Sequence, residues 1–202
     1  MFIIGITGGT GSGKTTLVSK LATHFKKDEL CIISQDSYYK ETDNLSEEER
    51  ISLNFDHPNA IDFDLLYKQL QQLKNKETIA QPIYSFLKHT RTLETEKTSP
   101  KNIIIVEGIL IFNDKRILDL FDLTVFVDAD ANERLTRRIK RDAEERGRSR
   151  EEVTTRYKTT LKPMHDLYIE PFKRNSDIVV PYNTENKKIV QLLTELIQEK
   201  IK

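Results

Sequence analysis

The sequence is short of cysteine and tryptophan. It has one cysteine among 202 residues and no tryptophan. Cys31 therefore has no partner for an internal disulfide, and its apolar neighbours Leu30 and Ile32 predict a buried, unreactive thiol. Because a chain of this length buries about 70% of its unfolded surface, it can hold a core together without disulfides or a structural metal. The composition thus fits a protein of a reducing compartment.

Long apolar runs are also missing. The run over residues 2–6 is short, has no basic segment before it and is followed by glycines, so it does not fit a signal peptide. No run approaches the ~18 apolar residues that a membrane-spanning helix needs. We therefore expect a cytoplasmic protein without a membrane partner.

Neither sign of charge is in excess. The 32 Lys and Arg residues balance 32 Asp and Glu residues, which argues against a nucleic-acid polymer as partner. The charges are nevertheless segregated. Residues 134–150 hold eight basic and three acidic side chains, whereas residues 41–50 hold one basic and five acidic ones. This pattern is compatible with a small anionic ligand in a local cationic cleft.

Apolar, β-branched runs alternate with segments of helical periodicity. The runs are continuous, as in strands that are buried on both faces of a parallel sheet. The alternation predicts an α/β fold with a five-stranded parallel sheet flanked by helices, in a single domain over residues 1–202. The predicted strands are Phe2–Thr7, Leu30–Ser34, Asn102–Val106, Leu123–Val127 and Asp177–Val180.

Apolar spacing predicts the helices between these strands. Asp62 or Asp64 is the expected N-cap of the helix that precedes residue 75. A basic helix follows the fourth strand, and Leu135, Ile139 and Ala143 form its expected apolar stripe.

Two stretches depart from the alternation. Residues 40–60 begin polar and acidic, and residues 76–101 have the pattern of a polar β-hairpin inserted around residues 82–86. We expect both stretches to line a substrate site rather than to build the core.

The most specific motif is G-x-x-x-x-G-K-T at residues 8–15. It follows the first predicted strand and opens an amphipathic helix, which is the context that a phosphate-binding loop requires. Its glycines let successive backbone N–H groups point at phosphate oxygens, and the helix N-terminus adds partial positive charge. We expect Lys14 to reach the β- and γ-phosphates and the Thr15 hydroxyl to hold Mg²⁺. The residues assigned to the nucleotide are Gly8, Gly9, Thr10, Gly11, Ser12, Gly13, Lys14, Thr15 and Thr16.

Missing motifs narrow the reaction class. The nearest match to the guanine-reading N-K-x-D motif, at residues 75–78, lacks the aspartate, and the transporter signature S-G-G-Q does not occur. The chain is also too short for a motor. A small-molecule kinase is the class that remains.

Such a kinase needs a second metal carboxylate and a base for the acceptor hydroxyl. Glu107 follows a buried strand and is favoured as the carboxylate over Asp128, which also fits the cap of the next helix. Asp36 follows the second strand, and ligands bind beyond the carboxyl ends of parallel strands. Asp36 is therefore the expected base, near a metal held by Thr15 and Glu107. Its alternative is an Asx turn that closes the strand.

Cations for the transferring phosphoryl group are expected in a lid over residues 134–156. Arg146 and Arg148 flank a glycine that interrupts the basic helix, as in a mobile lid. Arginines delivered by a closing lid can stabilise the transition state by ~10³–10⁵ in rate. The alternative is a solvated helix face, which explains Arg141 with Glu145 better than it explains the two flanking arginines.

Together these motifs resemble the uridine–cytidine kinase family, phosphate-loop kinases of pyrimidine salvage, over nearly the whole chain. Besides residues 8–15, the matching stretches are Q-D-S-Y-Y at 35–39, N-F-D-H-P at 54–58, P-I-Y-S-F at 82–86, H-T-R at 89–91, E-G-I-L at 107–110 and the arginine-rich 137–148. The resemblance implies phosphoryl transfer from ATP or GTP, with Mg²⁺, to the 5′-hydroxyl of uridine or cytidine. It also implies a homotetramer with feedback inhibition by CTP or UTP.

The resemblance further implies roles for individual side chains. They are Asp56 and Arg141 for the ribose hydroxyls, Tyr84, Phe86 and His89 for the base, and Arg138, Arg146 and Arg148 for phosphates. Ordinary packing of a hairpin is the alternative for Tyr84 and Phe86.

Two positions depart from the family pattern. Arg156 stands where the family often has a glutamine that contacts ribose, so it either takes over as a donor or marks a different acceptor site. Residues 181–183 read Pro-Tyr-Asn where the family has a segment like Pro-Arg-Gly. A phosphoribulokinase-like or pantothenate kinase-like acceptor, and a nucleotide-binding regulator without transfer activity, remain alternatives at this point.

Overall fold

The computed structural model describes residues 1–181 and 187–201, without the side chains of residues 51, 145 and 146. The predicted catalytic side chain of Arg146, and Tyr182, therefore lie outside the described residues. The strands are β1 Phe2–Thr7, β2 Leu30–Ser34, β3 Ile79–Ser85, β4 Thr90–Thr98, β5 Ile103–Glu107, β6 Leu123–Asp128 and β7 Ile178–Pro181. The helices are α1 Lys14–Ala22, α2 Glu47–Ser52, α3 Phe63–Lys74, α4 Lys115–Leu118, α5 Ala131–Arg146, α6 Arg150–Arg156, α7 Lys162–Tyr168 and α8 Lys187–Lys200.

Five strands form one parallel sheet in the order β2-β5-β1-β6-β7. This confirms the predicted sheet, with strand bounds that agree with the sequence pattern to one residue. The registers pair Ile6 with Glu107 and Ser34 with Glu107, so the ends of β1, β2 and β5 meet at one edge. The loops that follow these three strands therefore begin at the same edge of the sheet.

The sheet is covered on both faces because neighbouring strand residues point to opposite sides. Ile4 and Ile105 pack with α1 and α8, while Ile3 and Ile104 pack on the opposite face with α3 and α4. Asp62 caps α3 by accepting a hydrogen bond from the Leu65 N–H at 3.0 Å, which selects it over Asp64 as the N-cap. None of the described helices is both long and apolar enough to cross a membrane.

Helix α5 does not bury the apolar stripe that its sequence predicts. Its buried face is charged and consists of Arg134, Arg138 and Asp142, whereas Leu135 is half-buried and Ala143 is exposed. The basic helix itself is present as predicted, but Leu135, Ile139 and Ala143 are not its buried face. The helix instead contacts the loop after β1, where Arg138 donates to the Thr10 hydroxyl.

Strands β3 and β4 form an antiparallel hairpin outside the main sheet, with a register shift between Pro82 and Tyr84. The Thr42 hydroxyl donates to the His89 carbonyl at 2.7 Å, and Arg91 forms an ion pair with Asp62 at 3.1 Å. These contacts attach the hairpin to the polar stretch 40–60 and to the start of α3. The two stretches that break the α/β alternation thus lie against each other.

Candidate active site

The site begins at the shared edge of β1, β2 and β5. The Ser34 hydroxyl donates to Glu107 Oε1 at 2.9 Å, and the Thr7 hydroxyl donates to the Gly108 carbonyl at 2.9 Å. The Asp36 N–H donates to Ser34 Oγ at 3.4 Å and so starts the short 3-10 helix Gln35–Tyr38. Hydrogen bonds from strand ends therefore fix both predicted carboxylates, Asp36 and Glu107, on one side of the phosphate loop.

The loop between β1 and α1 presents backbone donors. Gly13 is the N-cap of α1 with φ 97°, and no side chain caps the helix, so its first N–H groups face outward. The Ser12 hydroxyl is fully buried and has no hydrogen-bond partner among the described residues. Because an unsatisfied buried hydroxyl is costly, this orphan donor supports an anion as the missing partner.

Lys14 is folded onto its own loop. Its Nζ donates to the Gly8 carbonyl at 3.0 Å and to the Gly9 carbonyl at 3.4 Å. Burial lowers the pKa of the Lys14 ammonium, while the charges of Glu107 and Asp36 oppose that shift. The lysine therefore lies between the loop carbonyls and the two carboxylates, within the space where a phosphate would replace the carbonyls as its partner.

The residues expected to hold Mg²⁺ offer only oxygen ligands. They are the Thr15 hydroxyl and the carboxylates of Glu107 and Asp36. No cluster of three or more His, Cys, Asp or Glu side chains occurs in the described residues. This suits Mg²⁺ in a kinase, which uses one or two protein oxygens and completes its octahedron with phosphate and water. Asp128, the competing candidate, instead pairs with Lys173 at 2.8 Å, and Asp130 caps α5 in its place.

Asp36 lies between the phosphate loop and an aromatic cluster. On one side, the Asp36 charge counteracts the downward shift that burial causes in the pKa of Lys14. On the other side, it adds to the upward shift in the pKa of Tyr84. The Asx turn considered for Asp36 is not what starts the helix, since Ser34 provides the capping oxygen. The placement suits a base that serves an acceptor held between the two features.

Five rings form the aromatic cluster. Tyr39 lies 5.1 Å from Tyr84 and 5.3 Å from Phe55, and Phe55 stacks on His89 at 5.6 Å with an interplanar angle of 23°. Phe86 meets Tyr84 edge-on at 5.3 Å and is 48% exposed. The structure therefore brings Tyr84, Phe86 and His89 together. Rings at these separations contact one another directly, so a planar ligand would pack against the outer faces of the cluster.

The Tyr84 hydroxyl is a polar group within this cluster. It is buried and has no hydrogen-bond partner among the described residues. Burial, with a contribution from the Asp36 charge, raises the pKa of Tyr84 to about 12, so it remains a donor at neutral pH. An unsatisfied donor within a ring of aromatics points to a ligand with a polar edge.

Asp56 faces the arginines of the lid. It is 8% exposed, and burial raises the pKa of its carboxyl group. Arg138, Arg156 and Arg141 oppose that shift, so all three guanidinium groups act on the same carboxylate. Arg156 is half-buried, and burial lowers its pKa together with repulsion from Arg148. It borders a groove of about 830 Å³ that Asn54, Ser149 and Thr155 also line.

The lid carries Arg148 beyond the end of α5. Gly147 ends the helix with φ 63°, and the Arg148 N–H donates to the Asp142 carbonyl at 3.1 Å. The Arg148 side chain then returns to Asp142 Oδ2 at 3.2 Å. Of the i,i+4 pairs that the solvated-face alternative requires, Arg137 with Glu133 and Lys140 with Glu144 occur on the exposed side of α5.

Sequence reasoning missed several members of the site. Tyr39 and Phe55 lie within the matching stretches 35–39 and 54–58 but have no role in the predicted base pocket, and Ser34 is predicted only as the end of a strand. Asp142 was counted merely as one of three acids among eight basic residues. The available signal was position: Phe55 precedes Asp56, and Asp142 lies four residues after Arg138.

Comparison with known proteins supports the interpretation of the site as that of a phosphate-loop kinase. The profile of the Phosphoribulokinase / Uridine kinase family matches residues 3–188. A uridine kinase of Ligilactobacillus salivarius is 48% identical over 197 residues, which cover 98% of this chain and 92% of that protein. A uridine kinase of Clostridium tetani is 46% identical over 199 residues, which cover 98% and 95%.

Solved structures share the fold. A possible uridine kinase from Bacillus stearothermophilus superposes with a TM-score of 0.60 at 20% identity, covering 89% of this chain and 88% of that one. A D-glycerate 3-kinase from Cryptococcus neoformans gives a TM-score of 0.58 at 18% identity, covering 83% and 78%. The match over residues 3–188 and the full-length identity to uridine kinases decide the assignment: the chain belongs to the phosphoribulokinase/uridine kinase family.

Proposed function

We propose that this protein transfers the γ-phosphoryl group of ATP to the 5′-hydroxyl of uridine and cytidine. The observation that carries the proposal is the position of Asp36, between a phosphate loop with its lysine and an aromatic cluster with an unsatisfied Tyr84 hydroxyl. The full-length similarity to proteins named uridine kinase supports the nucleoside as acceptor.

The chemistry assigns a task to each group. Asp36 accepts the proton of the 5′-hydroxyl as that oxygen forms its bond to the γ-phosphorus, and the bond from phosphorus to the β-bridging oxygen breaks to release ADP. Lys14 and the lid arginines stabilise the charge on the phosphoryl oxygens. Thr15 and Glu107 would hold Mg²⁺, which neutralises phosphate charge when bound.

Nucleoside recognition follows from the second half of the site. The buried carboxylate of Asp56 suits two vicinal ribose hydroxyls, and a deoxyribose would leave it partly unsatisfied. Arg141 and Arg156 lie on its cationic side. The aromatic cluster takes the pyrimidine. A sugar-phosphate or pantothenate acceptor is not favoured, because the full-length similarity is to proteins named uridine kinase and the hairpin side of the site presents aromatic rings.

The deciding experiment is an ADP-release assay with a panel of acceptors: uridine, cytidine, thymidine, ribulose 5-phosphate and pantothenate. We expect turnover with uridine and cytidine and little with thymidine. Turnover confined to the sugar phosphate or pantothenate would refute the proposal, as would ATP binding without transfer to any nucleoside. The same assay with GTP tests the donor. The homotetramer and the feedback inhibition remain predictions, to be tested by analytical ultracentrifugation and by titration of CTP.

Replacing Tyr84 with phenylalanine should separate binding from stability. Because its hydroxyl has no partner among the described residues, Tyr84→Phe should leave the free energy of unfolding unchanged within ~0.5 kcal/mol or raise it. The KM for uridine should rise about threefold to tenfold through the loss of one hydrogen bond. Urea unfolding and initial rates measure the two quantities.

Tyr38→Phe is the matched control for that change. The Tyr38 hydroxyl donates to Gln69 Oε1 at 2.6 Å in the core, and Tyr38 is not one of the five rings of the cluster. Its removal should cost ~1 kcal/mol of stability without changing the KM for uridine. If Tyr84→Phe instead loses stability and keeps its KM, the hydroxyl does not serve a nucleoside.

His89→Ala should raise the KM for the nucleoside more than the KM for ATP. His89 loses its stacking on Phe55 in this variant, while the phosphate loop is untouched. His89 has a left-handed backbone, with φ 52°, so a change to alanine there also alters backbone strain. Lys76→Ala, at φ 64° on the exposed turn after α3, controls for that effect. A larger rise in the KM for ATP would remove His89 from the base pocket.

A further inference from the structure

Asp142 is the most buried charged residue of the lid, at 1% exposure. Its Oδ2 accepts hydrogen bonds from Arg138 Nε at 2.8 Å and from Arg148 Nη1 at 3.2 Å, while Arg141 Nε lies 3.5 Å from Oδ1. One carboxylate thus contacts three of the arginines that face the acceptor side of the site. Its carbonyl also accepts from the Arg148 N–H, so the same residue fixes the turn that carries Arg148.

Arg138 connects this carboxylate to the nucleotide loop. While its Nε is held by Asp142, its Nη1 donates to the Thr10 hydroxyl at 2.7 Å. Arg138 is also the largest single charge that opposes the raised pKa of Asp56. The guanidinium therefore lies between the donor half and the acceptor half of the site, and Asp142 determines its orientation.

The charges explain why the carboxylate is needed. Arg138, Arg141 and Arg148 would repel one another around a space that also contains Lys14 and Arg156. A buried carboxylate offsets part of that repulsion and fixes planar guanidinium groups by direct hydrogen bonds. An asparagine has nearly the same shape, and its carbonyl oxygen could still accept from Arg138 and Arg148, but it has no charge to offset the repulsion and its NH₂ group would face Arg141.

We propose that Asp142 is a positioning residue that holds Arg138 and Arg148 in register for phosphoryl transfer without itself touching nucleotide or nucleoside. The inference rests on the proposed function, because these arginines act on the transferring group in that reaction. A misplacement of about 1 Å in such groups can cost up to ~100-fold in rate. A carboxylate that only stabilised the end of α5 would affect unfolding but not the rate of the folded enzyme.

The test is a double-mutant cycle on the full chain with ATP and uridine. Asp142→Asn should lower kcat at least tenfold while the KM for uridine changes less than threefold. Arg148→Ala should lower kcat by a similar or larger factor. If Asp142 acts through Arg138 and Arg148, part of the two losses is shared, so the double variant should lose less than the product of the two single losses. Independent, multiplying losses, or a kcat for Asp142→Asn within twofold of wild type, would overturn the proposal.

Controls separate the outcomes. Asp119→Asn removes another i,i+4 ion pair, with Lys115 at 2.9 Å on the surface, and should leave kcat unchanged. If Asp142→Asn does not fold, Arg148→Lys replaces it: the lysine keeps the charge but cannot reproduce the guanidinium geometry, so kcat should remain near that of Arg148→Ala. Wild-type kcat in Arg148→Lys would overturn the proposal.

The rate of the wild-type enzyme with uridine distinguishes a failure of the proposed function from a failure of the positioning role. If the wild type turns over another acceptor of the panel, the cycle is run on that acceptor with the same criteria. If the wild type turns over none of the acceptors, the affinity of each variant for a non-hydrolysable ATP analogue is measured by calorimetry in place of kcat. Asp142→Asn should then weaken binding through Arg138 and Thr10, and an unchanged affinity would overturn the positioning role.

Discussion

Asp36→Asn is expected to lower kcat by ~100-fold or more while ATP still binds. The amide cannot accept the proton of the acceptor hydroxyl, yet it keeps the size of the carboxylate and the backbone bond to Ser34. ATP affinity depends on the loop at residues 8–15, which this change leaves in place. Single-turnover rates and calorimetric titration of an ATP analogue measure the two properties.

Asp28→Asn is a suitable control for the loss of one carboxylate. Asp28 is exposed in the turn before β2, on the opposite edge of the sheet from the site. Its removal changes net charge by the same amount and should leave kcat within experimental error. Wild-type-like turnover in Asp36→Asn would assign the base elsewhere and would leave Asp36 as a metal or positioning group.

Gly8→Ala is expected to have the second large effect, on both stability and ATP affinity. Gly8 has φ +145°, and a Cβ there would lie 2.3 Å from the Val127 carbonyl oxygen and 2.9 Å from Ser12 Oγ. The carbonyl belongs to strand β6 and cannot move without disturbing the sheet. We expect a loss of ~2–4 kcal/mol in the free energy of unfolding, because strain and overpacking act together.

Gly147→Ala isolates the backbone contribution. Gly147 also has a left-handed φ, of +63°, but a Cβ there meets no atom within 4 Å. This variant should cost only about 1 kcal/mol. Urea unfolding gives the stabilities, and calorimetric titration gives the ATP affinities. Equal costs for the two variants would show that the close approach of β6 to the loop is not what requires glycine at position 8.

The charged lid helix shows why neutrality of the whole chain does not exclude a small anionic ligand. Lys14, Arg138, Arg141, Arg148 and Arg156 influence the same small group of titratable residues. The acids that balance them locally, Asp56 and Asp142 among others, are themselves buried. A small anion therefore meets a concentrated cationic cleft in a protein without net charge, and this is the electrostatic form that a nucleotide site requires.

Much of the fold follows from local sequence. The strand bounds were predicted closely because continuous apolar runs mark strands that are buried on both faces. The phosphate loop was recognised because its spacing is a local requirement of the turn from β1 into α1. Cys31 is buried as predicted, and burial raises the pKa of its thiol to about 11. Glu107 and Asp36 lie at the shared edge of the sheet, as expected for residues that follow parallel strands, and their catalytic roles stay predictions.

Tertiary structure decided what local sequence could not. The sequence names Arg138 and Asp142 as members of one helix but does not reveal that their face is buried against the phosphate loop. It equally shows Tyr39, Phe55 and Tyr84 without showing that strand order and hairpin register bring their rings into contact, with Tyr39 and Tyr84 within reach of the Asp36 charge. Periodicity reports which residues share a face, whereas the identity of the opposing surface depends on contacts between distant segments. For this protein the sequence alone therefore determined the sheet and the phosphate loop and predicted the reacting groups, and the tertiary structure determined which side chains lie around those groups.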